Sequence, residues 1–373
     1  GAGTWNTTNT ANWSDTSGGA AGASAPTLVD DVYFDSASNA TGYTVTVSGT
    51  IVSRSLSING PLTGSVTFSG GSTWQIYGNI FFATSGVVLS TFTGAFQALS
   101  KIPTTTINTN GVVIGASFTV GNAGYSPTEA VVWNMQSAYS STGNFTVNTG
   151  TFNTNGYSIT CTNFTLNASG YSPAVRFSPG NTTLTLTGTA ITIDTQAFLS
   201  DLFNLTLTNS VSTVNVIANS KGFKTFTIAG TGTNTVTFTG ACFIETFQHT
   251  RTSAYTISFN TGANLTVQNW KISGALGAVV AVQLVSTGSY SLNVIKQDAV
   301  DYLRISSCAS DLTTPAPPFY AGANSTTLGG NGSAIILAAL PTPTTYYWVG
   351  GSATWNATNT LPWSLSSGGA GGA

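Results

Sequence analysis

The chain has 373 residues, of which only 5% are Asp, Glu, Lys or Arg, and its formal net charge is −2. A typical soluble domain carries about 25% of these residues, and this charge balance predicts no basic patch for nucleic acid or for an anionic membrane. A disordered polar chain is excluded, because 41% of the residues are hydrophobic and 11% are aromatic. Thr, Ser, Asn and Gly supply the polarity and favour strands and turns over helices. Since the apolar runs are far shorter than a bilayer span, we predict an all-β protein without membrane insertion.

The opening segment, residues 1–25, is rich in small residues and contains Trp5 and Trp13. Gly, Ser, Thr and Asn at this density favour loops and turns over long strands. We therefore predict a loop-rich seam between modules, in which both tryptophans contact a neighbouring module.

An acidic cluster follows this seam, with Asp30, Asp31 and Asp35 flanking the run VYF. If VYF is a strand, Asp31 and Asp35 point to the same side. Carboxylate oxygens grouped in this way can bind Ca²⁺. Alternatively, the carboxylates cap a turn and shield the edge of the first sheet from pairing. We expect no other metal or cofactor.

Residues 26–314 form a strand-rich body, in which short alternating runs such as Tyr43–Val47 are bounded by Gly, Asn, Ser or Asp. Triplets of the type Phe/Leu-Thr-Val/Leu/Ile recur at intervals of 19 to 21 residues. They begin at Phe145, Phe164, Leu184, Leu205 and Phe226. This interval is the size of one coil of a parallel β-helix, in which equivalent side chains stack about 4.8 Å apart.

These patterns predict a right-handed parallel β-helix, a solenoid with loop-rich end segments that contain Trp and Gly. Inward Val, Ile, Leu and Phe form its core, while Asn and Gly at the corners supply left-handed backbone angles. A β-sandwich array also alternates and is rich in turns, and it is the structural alternative.

The body offers few residues for catalysis. Its three cysteines lie in strand-like segments, where buried thiols are favoured and one disulfide is the alternative. These cysteines are Cys161, Cys242 and Cys308. A polysaccharide depolymerase would need paired carboxylates, and its candidates are Asp194, Asp201 and Glu245. We assign no catalytic residue and predict that the protein is not an enzyme.

Aromatic side chains suggest a binding function as an alternative, because large rings are frequent anchors of binding sites. The candidates for contact with cell-surface glycans are Trp133, Tyr139 and Trp270. On a β-helix, however, such rings are more often elements of the core or of a side-chain ladder.

The closing part of the chain repeats its opening. Residues 315–347 are rich in Pro and Gly, which predicts a cap and connector. Residues 348–373 then start a further copy of the repeat, since Trp5 recurs as Trp355 and Trp13 as Trp363, an offset of 350 residues. Fifteen of 23 aligned positions are identical. We predict one period of a longer fibre, in which Trp348, Trp355 and Trp363 join Trp5 and Trp13 as contacts between modules.

Three motifs carry a resemblance to a known kind of module. They are YYWVGG at residues 346–351, DDVYFD at residues 30–35 and DYLRI at residues 301–305. They resemble a tandemly repeated, β-helix-like module of large phage virion and fibre proteins and of environmental bacterial surface-filament proteins. The resemblance covers the whole chain and its motifs mark module ends. It implies a fibre on a cell or virion surface and brings no catalytic residue.

We therefore expect a structural module of an extracellular fibre, built from units of about 350 residues joined end to end, with copies of itself as partners. A glycan-recognising tail fibre or adhesin is the alternative, and a depolymerase is a further one. Covalent tandem repetition and assembly of separate subunits both fit the recurrence, as do a phage and a cellular origin.

Overall fold

Strands dominate this molecule because its runs of Thr, Val, Ile and Phe suit a pleated surface, and Gly, Asn and Ser end each run. The computed structural model describes residues 2–38, 41–60, 62, 64–100, 102–121, 131–167, 176–194, 197–208, 213–230, 235–284, 288–308, 318–330, 335–342, 345, 347–349 and 363–367. These residues form 38 strands and no helix. None of them therefore belongs to a helix that could cross a membrane.

The strands are short and follow one another closely. The first are β1 (Gly3–Trp5), β2 (Val32–Phe34), β3 (Tyr43–Val47), β4 (Ile51–Ser53), β5 (Leu56–Ile58), β6 (Val66–Ser69), β7 (Thr73–Ile76), β8 (Ile80–Phe82), β9 (Val87–Val88), β10 (Ala95–Ala98), β11 (Thr104–Asn108) and β12 (Val113–Ile114). The next are β13 (Ser117–Val120), β14 (Val132–Met135), β15 (Tyr139–Ser141), β16 (Phe145–Val147), β17 (Thr151–Asn153), β18 (Ile159–Cys161), β19 (Phe164–Leu166), β20 (Arg176–Ser178), β21 (Thr183–Leu186), β22 (Ala190–Ile193), β23 (Phe198–Leu199) and β24 (Phe203–Leu207). The last are β25 (Val214–Ile217), β26 (Gly222–Ile228), β27 (Thr235–Thr239), β28 (Ala241–His249), β29 (Tyr255–Phe259), β30 (Asn264–Trp270), β31 (Val280–Leu284), β32 (Ser291–Gln297), β33 (Leu303–Ile305), β34 (Phe319–Tyr320), β35 (Thr326–Thr327), β36 (Ile335–Ile336), β37 (Tyr347–Trp348) and β38 (Trp363–Ser364).

Three long faces run along the molecule. Face 2 is a sheet of 13 strands from β4 to β35, and face 3 is a sheet of eight strands from β2 to β23. Face 1 consists of the sheet β1-β3-β6-β9 and of a nine-stranded sheet from β12 to β32, which meet where Leu89 bridges Ile114. These parallel sheets stack as a β-solenoid of about 11 turns. The predicted parallel β-helix is confirmed, and the β-sandwich array is wrong because a sandwich packs antiparallel sheets face to face.

Each early coil passes through the three faces in turn, as β15, β16 and β17 do. The strands after β23 no longer extend face 3. Coil length also varies along the chain, as hydrogen bonds between successive coils show. The Asn153 side chain bonds to Asn134 across 19 residues, whereas the Asn144 amide bonds to Ser117 across 27 residues.

The predicted triplets stack, but they do so on two different faces. On face 2, Phe118, Phe145 and Phe164 are successive partners, with ring centroids 5.6 and 5.9 Å apart. The next partner of Phe164 is Ile191. The remaining triplets stack on face 1 and begin at Leu184, Leu205 and Phe226. The interval of 19 to 21 residues therefore joins Phe145 to Phe164 on face 2 and Leu184 to Leu205 and Phe226 on face 1. The step from Phe164 to Leu184 joins two faces, and the step from Phe164 to its face 2 partner Ile191 is longer, at 27 residues.

Inward side chains form one continuous apolar core. In β16, Phe145 and Val147 are buried while Thr146 between them points outward, and most other strands alternate in the same way. Outward positions carry polar residues that repeat from coil to coil. On face 2 the successive partners are Thr119, Thr146, Thr165 and Thr192. The outer surface is therefore polar and nearly uncharged, as the composition predicts.

Asparagine turns several corners of the coil. Asn110, Asn155 and Asn219 have φ values of 46°, 51° and 48°, in the left-handed region that Asn tolerates better than most residues. Each side chain donates from Nδ2 to a backbone carbonyl of the preceding coil, for example from Asn155 to Met135 at 2.8 Å. The predicted use of Asn at the corners is confirmed, and the hydrogen bonds show that these residues also tie coils together.

The solenoid begins earlier than the predicted body of residues 26–314. Strand β1 pairs with β3, so part of the predicted seam is the first strand of face 1. At the other end, β33 pairs with β35, and stacking on face 2 continues to Thr327. The predicted boundary between residues 314 and 315 lies outside the described residues.

Candidate functional site

The carboxylates of the acidic cluster have separate partners. Arg54 donates from Nε to Asp31 Oδ1 at 2.8 Å, and its Nη2 contacts Asp31 Oδ2. Asp30 Oδ2 accepts hydrogen bonds from the amide and the hydroxyl of Thr27, at 2.8 and 2.6 Å. The hydrogen bond from Arg54 lowers the pKa of Asp31, and those from Thr27 lower the pKa of Asp30. Both groups are therefore held as carboxylates by neighbours on their own chain.

The third carboxylate caps a turn. Asp35 Oδ1 accepts from the amide of Ala37 and from the hydroxyl of Ser38, at 3.0 and 3.1 Å. The described residues contain no group of three His, Cys, Asp or Glu residues placed to hold a metal ion. The geometry thus supports the turn-capping alternative and does not assemble Asp30, Asp31 and Asp35 into a Ca²⁺ site.

A calcium titration tests this arrangement. We expect addition of Ca²⁺ to leave the midpoint of thermal unfolding unchanged, because binding would have to break the Arg54–Asp31 ion pair and the Thr27 and Ser38 hydrogen bonds. The measurement is differential scanning calorimetry in EDTA and in millimolar Ca²⁺, with Mg²⁺ as the ionic-strength control. A saturable rise in the midpoint that Mg²⁺ does not reproduce would contradict it.

The three rings predicted to contact glycans lie in the core. Trp133 is 1% exposed, Tyr139 is 2% exposed and Trp270 is 0% exposed. Each occupies an inward position of its strand, in β14, β15 and β30 respectively. The prediction of glycan contact is wrong for these residues, because a sugar at the surface cannot reach them. The described rings that do reach solvent include Tyr33, Phe81, Tyr157, Tyr347 and Trp348.

The three cysteines are buried and none forms a disulfide, which confirms the expectation of separate thiols. Burial raises the pKa of Cys161 to about 12 and that of Cys308 to about 11, and it also raises the pKa of Cys242. A thiol must lose its proton to act as a nucleophile. These side chains are therefore apolar core residues rather than a reactive site.

Thiol reactivity provides a direct test. At pH 8, we expect every thiol of the folded protein to react with a thiol reagent at least about a hundredfold more slowly than in denaturant, because a pKa of about 11 or more leaves few thiolates. The measurement is the rate of release of the reagent chromophore. Rapid modification of even one thiol in the folded state would contradict the burial of that cysteine.

The carboxylates considered for a depolymerase lie at different places on the coil. Asp194 follows β22 on face 2, and Glu245 lies within β28 on face 1. Asp201 stands between face 3 and face 1, where its Oδ2 accepts from Ser200. The three carboxylates thus lie at three different positions around the coil.

A cluster near the end of β28 was not predicted. The Arg251 guanidinium lies 5.1 Å above the Tyr255 ring and donates to Ser253, although the side chain is only 5% exposed. Burial lowers the pKa of His249, whose ring centroid lies 5.7 Å from that of Tyr255. Spacing alone does not predict these contacts, because Arg251 lies in the corner between His249 at the end of β28 and Tyr255 at the start of β29.

At the opening end, Trp5 is a core residue. It is 2% exposed, and its ring centroid lies 4.8 Å from that of Trp13 and 4.6 Å from that of Trp74. The prediction that Trp5 itself contacts a neighbouring module is wrong, since its own chain covers the ring. Trp13 is half-buried and packs on the core, and its indole nitrogen is buried without a hydrogen-bond partner.

At the closing end, β37 and β38 form an antiparallel pair. Tyr347 lies opposite Ser364, and Trp348 lies opposite Trp363. The side chains of Tyr347 and Trp348 are 39% and 40% exposed. Backbone pairing thus brings together two of the predicted contact residues, Trp348 and Trp363. Trp355 lies outside the described residues.

A groove of about 530 Å³ lies between the opening segment and the first coils. Trp13, Ser14 and Gly18 line it from the opening segment, and Tyr33 and Asp35 line it from the region of β2. Tyr33 stands at the groove with 59% of its surface exposed. The groove at the opening end and the β37–β38 pair at the closing end therefore each present at least one exposed aromatic ring.

Comparison with protein-family models, with curated proteins and with solved structures finds no match for this chain.

Proposed function

We propose that this chain is a structural module of an extracellular fibre or filament, in which units of about 350 residues repeat end to end at a cell or virion surface. Its partners are further copies of itself. The observation that carries the proposal is the recurrence of residues 1–23 at residues 351–373, on either side of a solenoid whose core extends along one axis.

Sheet edges support a junction at the two ends. On face 2, β4 is the last strand at the opening end and β35 is the last strand at the closing end, and face 3 ends on β2. A terminal strand keeps unpaired backbone groups along one side, which favours pairing with another strand. Repetition of the unit along the solenoid axis would cover these edges.

The sides of the solenoid support the same function. Ladders of threonine and asparagine cover them, with bonds such as Asn167 Nδ2 to Asn148 Oδ1 at 3.2 Å. In such ladders, the polar side chains of adjacent coils satisfy one another's hydrogen bonds. Polar sides, together with terminal strands at both ends, favour growth along the axis over association side by side.

Small-angle scattering tests the proposal with two proteins. One is the chain itself, and the other is a two-unit chain in which residues 1–350 precede a second copy of residues 1–373. About 11 turns at about 4.8 Å per turn make a body about 50 Å long. We expect the maximum dimension of the two-unit chain to exceed that of the single chain by at least about 50 Å, with an unchanged cross-section.

Two results would overturn the proposal. One is a two-unit particle whose cross-section grows while its length does not, since the units would then pack side by side. The other is a pair of units that tumble independently, seen as a scattering curve equal to that of two flexibly linked particles.

A further inference from the structure

One turn of the repeated segment is described in both of its copies. We call residues 1–23 the opening copy and residues 351–373 the closing copy. In the opening copy, Ser14 Oγ accepts a hydrogen bond from the amide of Thr16 at 3.3 Å. In the closing copy, Ser364 Oγ accepts from the amide of Ser366 at 3.2 Å. The same turn therefore forms at positions that are 350 residues apart in sequence.

The two copies differ in what covers this turn. Ser364 is 4% exposed and lies opposite Tyr347 in the antiparallel pair of β37 and β38. Ser14 is exposed, and no strand among the described residues pairs with it or with Trp13. The Trp13 carbonyl accepts from the amides of Gly22 and Ala23 of its own chain, at 2.9 and 3.0 Å, so Ser14 is the uncovered part of the site in the opening copy.

The surroundings of Trp13 and Ser14 are suited to binding a strand such as β37. Both residues line the groove of about 530 Å³, and the indole nitrogen of Trp13 is buried without a hydrogen-bond partner. The residues of β37 bring two large rings, Tyr347 and Trp348, that are about 40% exposed in their present position. Burial of aromatic surface in such a groove is favourable, because it removes apolar area from water.

We propose that residues Tyr347–Trp348 of one copy of this chain pair antiparallel with Trp13–Ser14 of a second copy, in the register of β37 and β38. Tyr347 then lies opposite Ser14, and Trp348 lies opposite Trp13. This contact rests on the proposed end-to-end function and names the surfaces at which the modules join.

In the closing copy, Trp363 and Ser364 already pair with β37 of the same chain. The closing copy shares Trp-Ser and the following Ser-Gly-Gly-Ala with the opening copy, so both copies offer the same backbone to β37. The opening copy of a second chain adds the groove and the first coil. Exchange of one copy for the other therefore preserves the strand pairing and adds buried surface.

Cysteine cross-linking tests the contact in the full-length chain, since the three native thiols are buried. Chains with Ser14→Cys are mixed with chains with Tyr347→Cys and oxidised, because directly opposed residues in an antiparallel pair have Cβ atoms about 4.5–5.5 Å apart. We expect at least about tenfold more covalent heterodimer than in a control mixture of Ser14→Cys with Leu276→Cys. Leu276 is the matched exposed position, with 85% of its surface accessible.

A chain that carries both Tyr347→Cys and Ser364→Cys is the positive control, because β37 and β38 place these residues opposite each other. Ser364→Pro in the Tyr347→Cys chain weakens its own strand pair, since proline cannot donate a backbone hydrogen bond. We expect this change to raise the yield of heterodimer with Ser14→Cys. A yield that stays the same or falls would overturn the exchange of copies.

The outcomes separate this contact from the proposed function. A heterodimer yield equal to the Leu276→Cys control would overturn the contact. If the two-unit chain still doubles in length by scattering, the fibre function stands and the modules join elsewhere. If neither result is obtained, both proposals fail.

Discussion

We expect Phe145→Ala to lower the free energy of unfolding by about 3–5 kcal/mol, the range for removal of a buried phenylalanine ring. Phe145 is 1% exposed and stacks between Phe118 and Phe164 at interplanar angles of 10° and 11°. Its ring also meets Tyr139 and Phe152, with centroids 5.0 and 5.3 Å away. Because rigid coils on both sides hold these rings, the cavity cannot collapse easily.

Thr146→Ala is the matched control for this substitution. Thr146 follows Phe145 in β16 and points outward, opposite Thr119 and Thr165. We expect a change within about 0.5 kcal/mol, as for most surface positions. The measurement is urea unfolding followed by circular dichroism. Equal losses in the two variants would mean that strand pairing, rather than the stacked rings, carries the stability at this coil.

The same alternation explains how much of the fold could be predicted. Triplets such as Phe145-Thr-Val predict inward apolar and outward polar residues, and the structure follows this pattern closely. Assignment of each strand to a face could not be predicted, because coils differ in length by several residues. Phe164 and Leu184 are separated by the expected interval, yet one lies on face 2 and the other on face 1.

Less of the candidate site than of the fold could be predicted from the sequence. Trp133 and Trp270 were assigned to glycan contact by residue type alone, whereas their inward positions beside buried neighbours would have placed them in the core. The recurrence of Trp5 and Trp13 predicts that the two ends meet neighbouring modules. It could not show that Trp5 is buried by its own chain, since Trp74, which lies against it, is far away in sequence.

Glycines show a further limit of the sequence pattern. They were predicted to supply left-handed corners, and Gly111 and Gly156 do so with φ values of 78° and 80°. Gly94 has a different role, which no local pattern reveals. It lies just before β10, and its φ is outside the left-handed region. A side chain there would meet the coil below, so the requirement for glycine is one of space.

We expect Gly94→Ala to lower the free energy of unfolding by about 2–4 kcal/mol, because an added Cβ would overlap the carbonyl oxygen of Ser72 and meet Phe92 Cζ at 2.7 Å. The same carbonyl accepts the hydrogen bond from Ala95 that joins β10 to the preceding coil, at 3.1 Å. Relief of the overlap must therefore move β10 away from β7 and weaken face 2 at the point where the two strands start to pair.

Gly71→Ala is the control, and it should act in the opposite direction. Gly71 is exposed and outside the left-handed region, and a Cβ there would find only the Thr93 hydroxyl, at 3.8 Å. Loss of glycine freedom in the unfolded chain then raises stability by about 0.4–1 kcal/mol. Urea unfolding of both variants measures the difference. A stable Gly94→Ala protein would show that adjacent coils can separate at this corner, and the close stacking derived for face 2 would not hold there.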